Sequence, residues 1–177
     1  MKYQFFYKTP DNFSDIILES DGTFLTGLWF IDSPDCLKHE QLGKDDELPI
    51  FTETVSWLDL YFKGIEPPFT PKYKLLNLTP FRKEVTAITQ KIPFGQTLTY
   101  NDIAKMIAKE RGIKKMSAQA VGGALNANQI CLIIPCHRVI GAHGNLTGYG
   151  GGIKNKIELL KLEGNDMTKL FIRDKSL

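Results

Sequence analysis

The 177-residue sequence lacks any apolar run long enough to cross a bilayer, and its N-terminus does not have the layout of a signal peptide. It contains only three cysteines, an odd number that does not suggest a disulfide framework. Internal repeats and low-complexity tracts are also missing. These absences argue against a membrane protein and against a disulfide-stapled secreted domain. They favour a globular protein of the reducing cytoplasm, long enough for one domain or two small ones.

The net charge is only +2, but the charges are divided unevenly along the chain. Residues 1–79 contain 7 basic and 13 acidic side chains, whereas residues 80–177 contain 15 basic and 7 acidic ones. A basic half indicates a polyanionic partner such as nucleic acid. Basic residues that merely solvate helix faces would give the same pattern, so charge alone leaves both interpretations open.

A cysteine followed directly by histidine and arginine, within residues 135–139 (Pro-Cys-His-Arg-Val), is the strongest chemical signal in the sequence. A possible base and a fixed positive charge beside a thiol favour the nucleophilic thiolate. The apolar run 130–134 is predicted to be a buried strand that delivers Cys136 to a turn at the edge of a pocket, and a glycine-rich loop, 141–152, follows. Cys131, within the run, is interpreted as a small core hydrophobe.

The first half is predicted to hold strands at 3–8 and 15–30, with a hairpin turn at Asp21-Gly22. Residues 32–49 are polar and acidic and indicate a loop. Apolar residues at helical spacing then predict a helix from Phe51 to Phe62, ended by Gly64, and an extended segment at 72–78.

The second half is predicted to be mainly helical. Thr79, Thr99 and Ser117 are suited to cap helices, and a last helix runs from about Ile153 to Gly164. The helices that begin after Thr99 and Ser117 are short and joined by a glycine-containing turn. They form the outline of a helix-turn-helix.

The second helix of this pair has an unusual composition, Ala118-Gln119-Ala120-Val121-Gly122-Gly123-Ala124. Small residues permit close approach to a partner backbone, but they offer few groups that read base edges. The helix is therefore expected to enter a groove with little sequence preference. The alternative is that Gly122 and Gly123 allow another helix or strand of the same protein to pack tightly.

Three stretches together resemble the O(6)-alkylguanine-DNA alkyltransferases, also called methylated-DNA–protein-cysteine methyltransferases: residues 134–140, Ala120 to Ala124, and Leu146 to Tyr149. The resemblance is clear from about Thr79 to Gly164. It is fainter before that, where residues 58–64 (LDLYFKG) still resemble bacterial members.

The resemblance implies an α/β (α+β) fold of two domains. A small N-terminal ribonuclease-H-like α/β domain would occupy residues 1–78. A mainly helical, winged-helix-like domain would occupy residues 79–177 and carry both the helix-turn-helix and the cysteine.

The resemblance also implies direct reversal of DNA damage. A methyl or other alkyl group would move from the O(6) position of guanine, and from the O(4) position of thymine, to Cys136 after the nucleotide is flipped from the minor groove. The thioether product has no obvious route of cleavage, so each molecule would react once. The expected partner is double-stranded DNA carrying O(6)-alkylguanine. A monomer is expected, with no membrane, cofactor or obligate protein partner.

The resemblance assigns the catalytic roles. Cys136 would be the nucleophile, and His137 the base, acting through a water. Glu163 would orient His137, and Asn128 would bridge the recognition helix and the cysteine segment. From the residues alone, Glu163 could equally be a surface glutamate and Asn128 a helix C-cap.

Substrate contacts are assigned in the same way. Tyr100 would donate to a ring nitrogen of guanine, although by itself it could be a packed aromatic residue. The carbonyls of Cys136 and Val139 would accept from the base's amine, and backbone amides near Tyr149 and Gly150 would face its oxygen. Lys156 is expected near the pocket or a phosphate.

DNA contacts would come from the small-residue helix and the turn before it. Gln119 takes the position of the family's arginine, which fills the space left by the flipped nucleotide. The other expected DNA-binding residues are Ala120, Gly122, Gly123, Lys114 and Lys115.

Two other functions are possible alternatives to alkyl transfer, and the N-terminal half has one candidate zinc site. A non-catalytic lesion-recognition protein would lack the reactive Cys136, and an unrelated thiol hydrolase would turn over an ester or amide without DNA. Some relatives bind zinc in the N-terminal half. Cys36 and His39 lie close in sequence, but two further convincing ligands are missing, so no zinc is predicted.

Overall fold

The computed structural model of this protein describes residues 2–36, 44–45 and 47–172. Its first half is a four-stranded sheet in the order β3-β2-β1-β4, in which β1, β2 and β3 are antiparallel and β4 is parallel to β1. The strands are β1 (Tyr3–Tyr7), β2 (Ile16–Ser20), β3 (Leu25–Phe30) and β4 (Lys44–Asp45). The predicted strands and the turn between β2 and β3 are confirmed.

One helix, α1 (Pro49–Tyr61), packs on this sheet, with the Phe5 and Phe51 rings 5.6 Å apart. Gly64 follows it with a φ of 74°, a left-handed conformation that ends helices and suits glycine. The predicted extended segment after the helix is also present, because Lys72 and Lys74 exchange backbone hydrogen bonds with Leu25 at the edge of β3.

The second half contains four helices in the described part of the chain, and their caps are those that the sequence predicts. The Thr79 and Ser117 side chains each accept a backbone hydrogen bond, and Thr99 forms a capping box with Asp102. The helices are α2 (Pro80–Thr89), α3 (Tyr100–Glu110), α4 (Ala118–Leu125) and α5 (Ile153–Leu162), and a small parallel pair joins β5 (Leu98–Thr99) to β6 (Val139–Ile140). The mixed α/β fold class is confirmed.

A single buried apolar cluster extends through both halves. Strand β3 links them directly, because the Leu28 amide donates to the Gln129 carbonyl (2.9 Å) and the Cys131 amide donates to the Leu28 carbonyl (3.0 Å). The predicted domain boundary at 78/79 coincides with the start of α2, but it stays a prediction. Residues of α1 and of the cysteine segment pack together in this shared core.

The prediction of a strand at residues 130–134 is wrong. The Ile133 amide bonds the Cys131 carbonyl (2.8 Å), the Ile134 amide bonds the Ile130 carbonyl (3.1 Å), and Leu132 has a φ of 69°. The segment therefore folds back in tight turns. A continuous apolar run indicates that the segment is buried on all sides. Burial alone does not distinguish a strand from a tightly packed turn.

Candidate active site

Cys136 begins a single 3₁₀ turn, Cys136–Arg138, that leads into β6, and only 7% of the residue is exposed. The turn places the sulfur in the core between the two halves. Asn128, just after α4, donates from Nδ2 to Cys136 Sγ at 2.9 Å and to the Ile134 carbonyl at 3.0 Å. Asn128 thus links the end of α4 to the cysteine segment by hydrogen bonds.

Polar neighbours lower the pKa of the Cys136 thiol. The largest contribution is a hydrogen bond from the side chain of Cys131; burial opposes it, and the Asn128 donor adds to it. The same contact raises the pKa of Cys131 well above its usual value, so Cys136 is the thiol of the pair that ionises more readily, with Cys131 as the donor. Cys131 is completely buried in the apolar core, as its sequence context predicts, and its thiol also affects the pKa of Cys136.

The fixed charge in the motif does not serve the thiolate, contrary to the sequence-based interpretation. Arg138 instead binds Glu163, with its Nε 3.1 and 3.0 Å from the two carboxylate oxygens and one terminal nitrogen 2.9 Å from Oε1. Its other terminal nitrogen donates to the Ile92 carbonyl at 2.7 Å. Glu163, the C-cap residue of α5, is 5% exposed, so the interpretation as a surface glutamate is excluded.

His137 and Glu163 form a buried pair. His137 Nε2 lies 2.8 Å from Glu163 Oε1, and neither side chain is exposed. Burial lowers the pKa of His137 even though Glu163 opposes this, so the ring is neutral near pH 7. Burial by itself would raise the pKa of Glu163, but His137 and Arg138 outweigh it and hold that pKa well below its usual range.

This pairing determines the tautomer of the ring. An ionised carboxylate only accepts hydrogen bonds, so the proton lies on Nε2 and the lone pair lies on Nδ1. His137 Nδ1 is buried and has no hydrogen-bond partner in the described part of the protein. The ring therefore presents a free acceptor, which is what a general base requires.

Tyr61, in the last turn of α1, completes this group from the N-terminal half. Its hydroxyl donates to Glu163 Oε1 at 2.5 Å and lies 3.2 Å from His137 Nε2. The residue is completely buried, and its ring stacks on Trp57 at 5.2 Å. Sequence reasoning quoted Tyr61 only as part of the LDLYFKG resemblance and gave it no role.

Lys156, also completely buried, closes the other side of the site. Its Nζ donates to the carbonyls of Val139 (2.6 Å) and Thr147 (3.3 Å), so its charge is buried and cannot bind a phosphate at the surface. Burial lowers its pKa to about 8, while Cys136 opposes the change. The Val139 carbonyl predicted to accept from the base thus already accepts a hydrogen bond from Lys156.

Tyr149, predicted beside the base, is buried with its ring 6.4 Å from His137 and 5.8 Å from Lys156 Nζ. The roles of the backbone at Tyr149 and Gly150 stay predictions.

An open groove of about 690 Å³ lies beside the helix-turn-helix. Tyr100 lies at its inner end, where its hydroxyl donates to the carbonyls of Thr147 (3.2 Å) and Gly148 (3.1 Å). Burial raises the pKa of Tyr100 to about 12, and the charge of Cys136 adds to this. The groove is lined by Tyr100, Asn101, Ala118, Gln119, Gly122, Gly123, Asn126, Ala142, Thr147 and Gly148.

The two helix glycines do not serve internal packing. A Cβ at Gly123 would meet nothing within 4 Å, and one at Gly122 would make only ordinary contact, 3.8 Å from the Tyr100 ring. The alternative of tight packing against another element is therefore wrong. Gln119, Ala120, Lys114 and Lys115 are all exposed on the same helix and the preceding turn.

Within residues 2–36, 44–45 and 47–172, no helix has the length and apolar content to span a membrane. The same part of the chain holds no group of three or more side chains suited to a metal ion. Cys36 is buried, and His39 of the considered zinc pair lies outside the described residues.

Comparisons with known proteins agree with this geometry. The sequence profile of the family described as "6-O-methylguanine DNA methyltransferase, DNA binding domain" matches residues 80–165. The methylated-DNA–protein-cysteine methyltransferase of Mycobacterium leprae is 38% identical over 160 residues, which cover 90% of this chain and 92% of that protein.

Solved structures match over nearly the full length. A crystal structure of the Mycobacterium tuberculosis O6-methylguanine methyltransferase superposes with a TM-score of 0.73 at 34% identity, covering 92% of this chain and 93% of that one. A structure of M. tuberculosis OGT in complex with DNA gives a TM-score of 0.72 at 34% identity, covering 92% and 91%.

Proposed function

Because this chain belongs to the methylated-DNA–protein-cysteine methyltransferases, and so is an enzyme of DNA alkyl-damage repair, we propose that it transfers alkyl groups from the O(6) position of guanine to Cys136. The observation that carries the proposal is the buried Tyr61–Glu163–His137 group behind a cysteine whose thiolate is favoured. A thiol without a base would serve equally well as a core residue. Cys136 is followed in the chain by His137, whose neutral imidazole has no hydrogen-bond partner at Nδ1 in the described part of the protein.

The reaction is an in-line displacement. Cys136 loses its proton to His137 Nδ1 through a water, and the Sγ lone pair attacks the alkyl carbon. The S–C bond forms as the C–O bond breaks, and the electron pair goes to the guanine oxygen. Glu163 stabilises the histidine as it becomes positive, and the Asn128 donor holds the sulfur on line.

Access to the sulfur requires a flipped nucleotide. The groove beside α4 accepts the DNA backbone. Gln119 is exposed on α4, where its side chain can fill the space that the flipped nucleotide leaves in the base stack. The Tyr100 hydrogen bonds to Thr147 and Gly148 must open for a base to pass from the groove to Cys136. The freed Tyr100 hydroxyl then donates to the leaving base. Lys114 and Lys115 supply phosphate attraction.

A thioether has no leaving group that this site can activate, so each molecule reacts once. The O(4) position of thymine presents the same kind of alkylated oxygen and is a second substrate. We further propose that the protein acts as a monomer in the cytoplasm, where its three free cysteines stay reduced. Light scattering on the purified protein checks the monomer.

The test is incubation with a duplex carrying one O6-methylguanine, followed by peptide mass spectrometry. Two reactions are run, one with the protein in excess and one with the DNA in excess. The expected result is one methyl group on the Cys136 peptide and one transfer per protein molecule. The Cys136→Ser variant should give no adduct, and Cys131→Ser, which removes the neighbouring sulfur, should keep the methyl on Cys136. Binding without an adduct would indicate a lesion-recognition protein, and ester or amide turnover without DNA would indicate a thiol hydrolase.

A further inference from the structure

Asp35, from the loop after β3, reaches across to the glycine-rich loop beside the active site. The residue is 4% exposed, and its backbone amide donates to the Gly150 carbonyl at 3.0 Å. The N-terminal half therefore contacts the loop predicted to face the guanine oxygen.

The Asp35 carboxylate occupies the place that a side chain at residue 150 would take. A Cβ built on Gly150 would lie 1.8 Å from Oδ2 of Asp35 and 2.2 Å from its Cγ. Gly150 does not have a left-handed backbone conformation, so its φ does not demand glycine. The restriction is spatial: a side chain at residue 150 would require the Asp35 carboxylate to move.

Asp35 also lines a cavity together with Asn128, whose Nδ2 lies 2.9 Å from Cys136 Sγ. The charge of Asp35 raises the pKa of both Cys136 and Cys131, whereas that of Lys156 lowers the pKa of Cys136. Hydrogen bonds to the carbonyls of Val139 and Thr147 hold Lys156 in place. The Cys136 thiol is thus subject to two opposite charges, and the negative one lies next to Gly150.

Resting on the proposed function, we propose that Asp35 forms the wall of the space that receives the alkyl group and makes the enzyme select small uncharged groups over anionic ones. In an in-line displacement, sulfur, the alkyl carbon and guanine oxygen are collinear, so any atoms beyond that carbon project sideways into the walls around Sγ. A methyl group has no such atoms. A carboxymethyl group brings a second carboxylate into a buried site that already holds one, where like charges are poorly screened.

The test compares transfer from O6-methylguanine and O6-carboxymethylguanine duplexes in single-turnover reactions. The wild-type protein should transfer methyl at least tenfold faster than carboxymethyl. Asp35→Asn keeps the shape and removes the charge, so it should narrow this ratio at least tenfold, about 1.4 kcal/mol. The ratio, unlike either rate, is insensitive to a general change in thiolate content.

The matched control is Asp32→Asn, which removes an exposed carboxylate from the same loop. It should leave the ratio unchanged. Absence of methyl transfer by the wild-type protein would overturn the proposed function. Methyl transfer by all three proteins with the same ratio would overturn only the role of Asp35.

A second pair of variants tests the shared space. Gly150→Ala should slow methyl transfer and lower the melting temperature, because its Cβ collides with the carboxylate. In the Asp35→Ala background the same substitution should have little effect on either quantity. Equal effects of Gly150→Ala in both backgrounds would show that Asp35 does not fill this position, and the inference would be wrong.

Discussion

Replacing Tyr61 by phenylalanine removes one hydroxyl from the buried catalytic group and leaves the ring in place. The hydroxyl donates to Glu163 at 2.5 Å and lies 3.2 Å from His137, while the ring packs on Trp57 and Phe94 at 5.2 and 5.9 Å. Since Phe preserves these ring contacts, the variant isolates the hydrogen bond. Glu163 keeps its bonds to Arg138, so no charge is left unpaired.

The expected magnitudes follow from this environment. A hydrogen bond to a charged group contributes about 1.5–3 kcal/mol. We expect a loss near the lower end, because Arg138 still satisfies the carboxylate. For a protein of this size that corresponds to a fall of roughly 3–6 °C in melting temperature. Looser orientation of His137 should also slow methyl transfer about tenfold, part of the factor of about 10²–10⁴ that a positioned base provides.

The assay is the single-turnover rate on an O6-methylguanine duplex, measured beside thermal unfolding. The matched control is Tyr7→Phe, which removes a hydroxyl that donates to the Asp59 carboxylate at 2.8 Å in the same half of the protein. It should lower stability without changing the rate. If Tyr61→Phe loses stability and transfers methyl as fast as Tyr7→Phe does, the Tyr61 hydroxyl supports only the fold.

Three further outcomes are expected. Cys131→Ala should raise the pH at which iodoacetamide half-maximally modifies Cys136, because the thiol donor is lost, and Cys131→Ser should largely retain the wild-type midpoint. The pKa of Glu163 is held below its ordinary 4.5, so its stabilisation is present above that pH and is lost as the pH falls through the folded-state value. As the pH is lowered from 6 to 3, the melting temperature should therefore fall more steeply for the wild type than for Glu163→Gln, and parallel curves would contradict this. At pH 7 the variant should be about 3–5 kcal/mol less stable than the wild type, because Arg138 loses its buried partner. Gln119→Arg should steepen the dependence of DNA affinity on salt by about 0.9 in logarithmic slope, since it adds one cation at the groove, and an unchanged slope would place this helix away from the phosphates.

The N-terminal half contributes directly to the proposed active site. Tyr61 on α1 donates to the Glu163 carboxylate that pairs with His137, and Asp35 after β3 bonds the backbone of Gly150. Both residues are buried. If the proposed function is correct, substitutions in the N-terminal half should therefore alter methyl transfer as well as stability.

The sequence by itself determined the local elements, because caps, turns and helical periodicity depend on residues that are neighbours in the chain. Thr79, Thr99 and Ser117 each begin a helix as predicted. It also indicated Cys136 as the candidate nucleophile, since a Cys-His-Arg motif with matching flanks is specific to one family.

Only the tertiary structure decided which groups surround the sulfur. Arg138 turns to Glu163, and the turns at 130–134 bring Cys131 to Cys136, although the periodicity predicted a strand. Asp35 lies in a stretch that reads only as a polar loop, and no local pattern connects it with Gly150. Hydrogen bonds and excluded volume act between atoms within a few ångströms, whatever their separation along the chain, so packing alone could establish these partnerships.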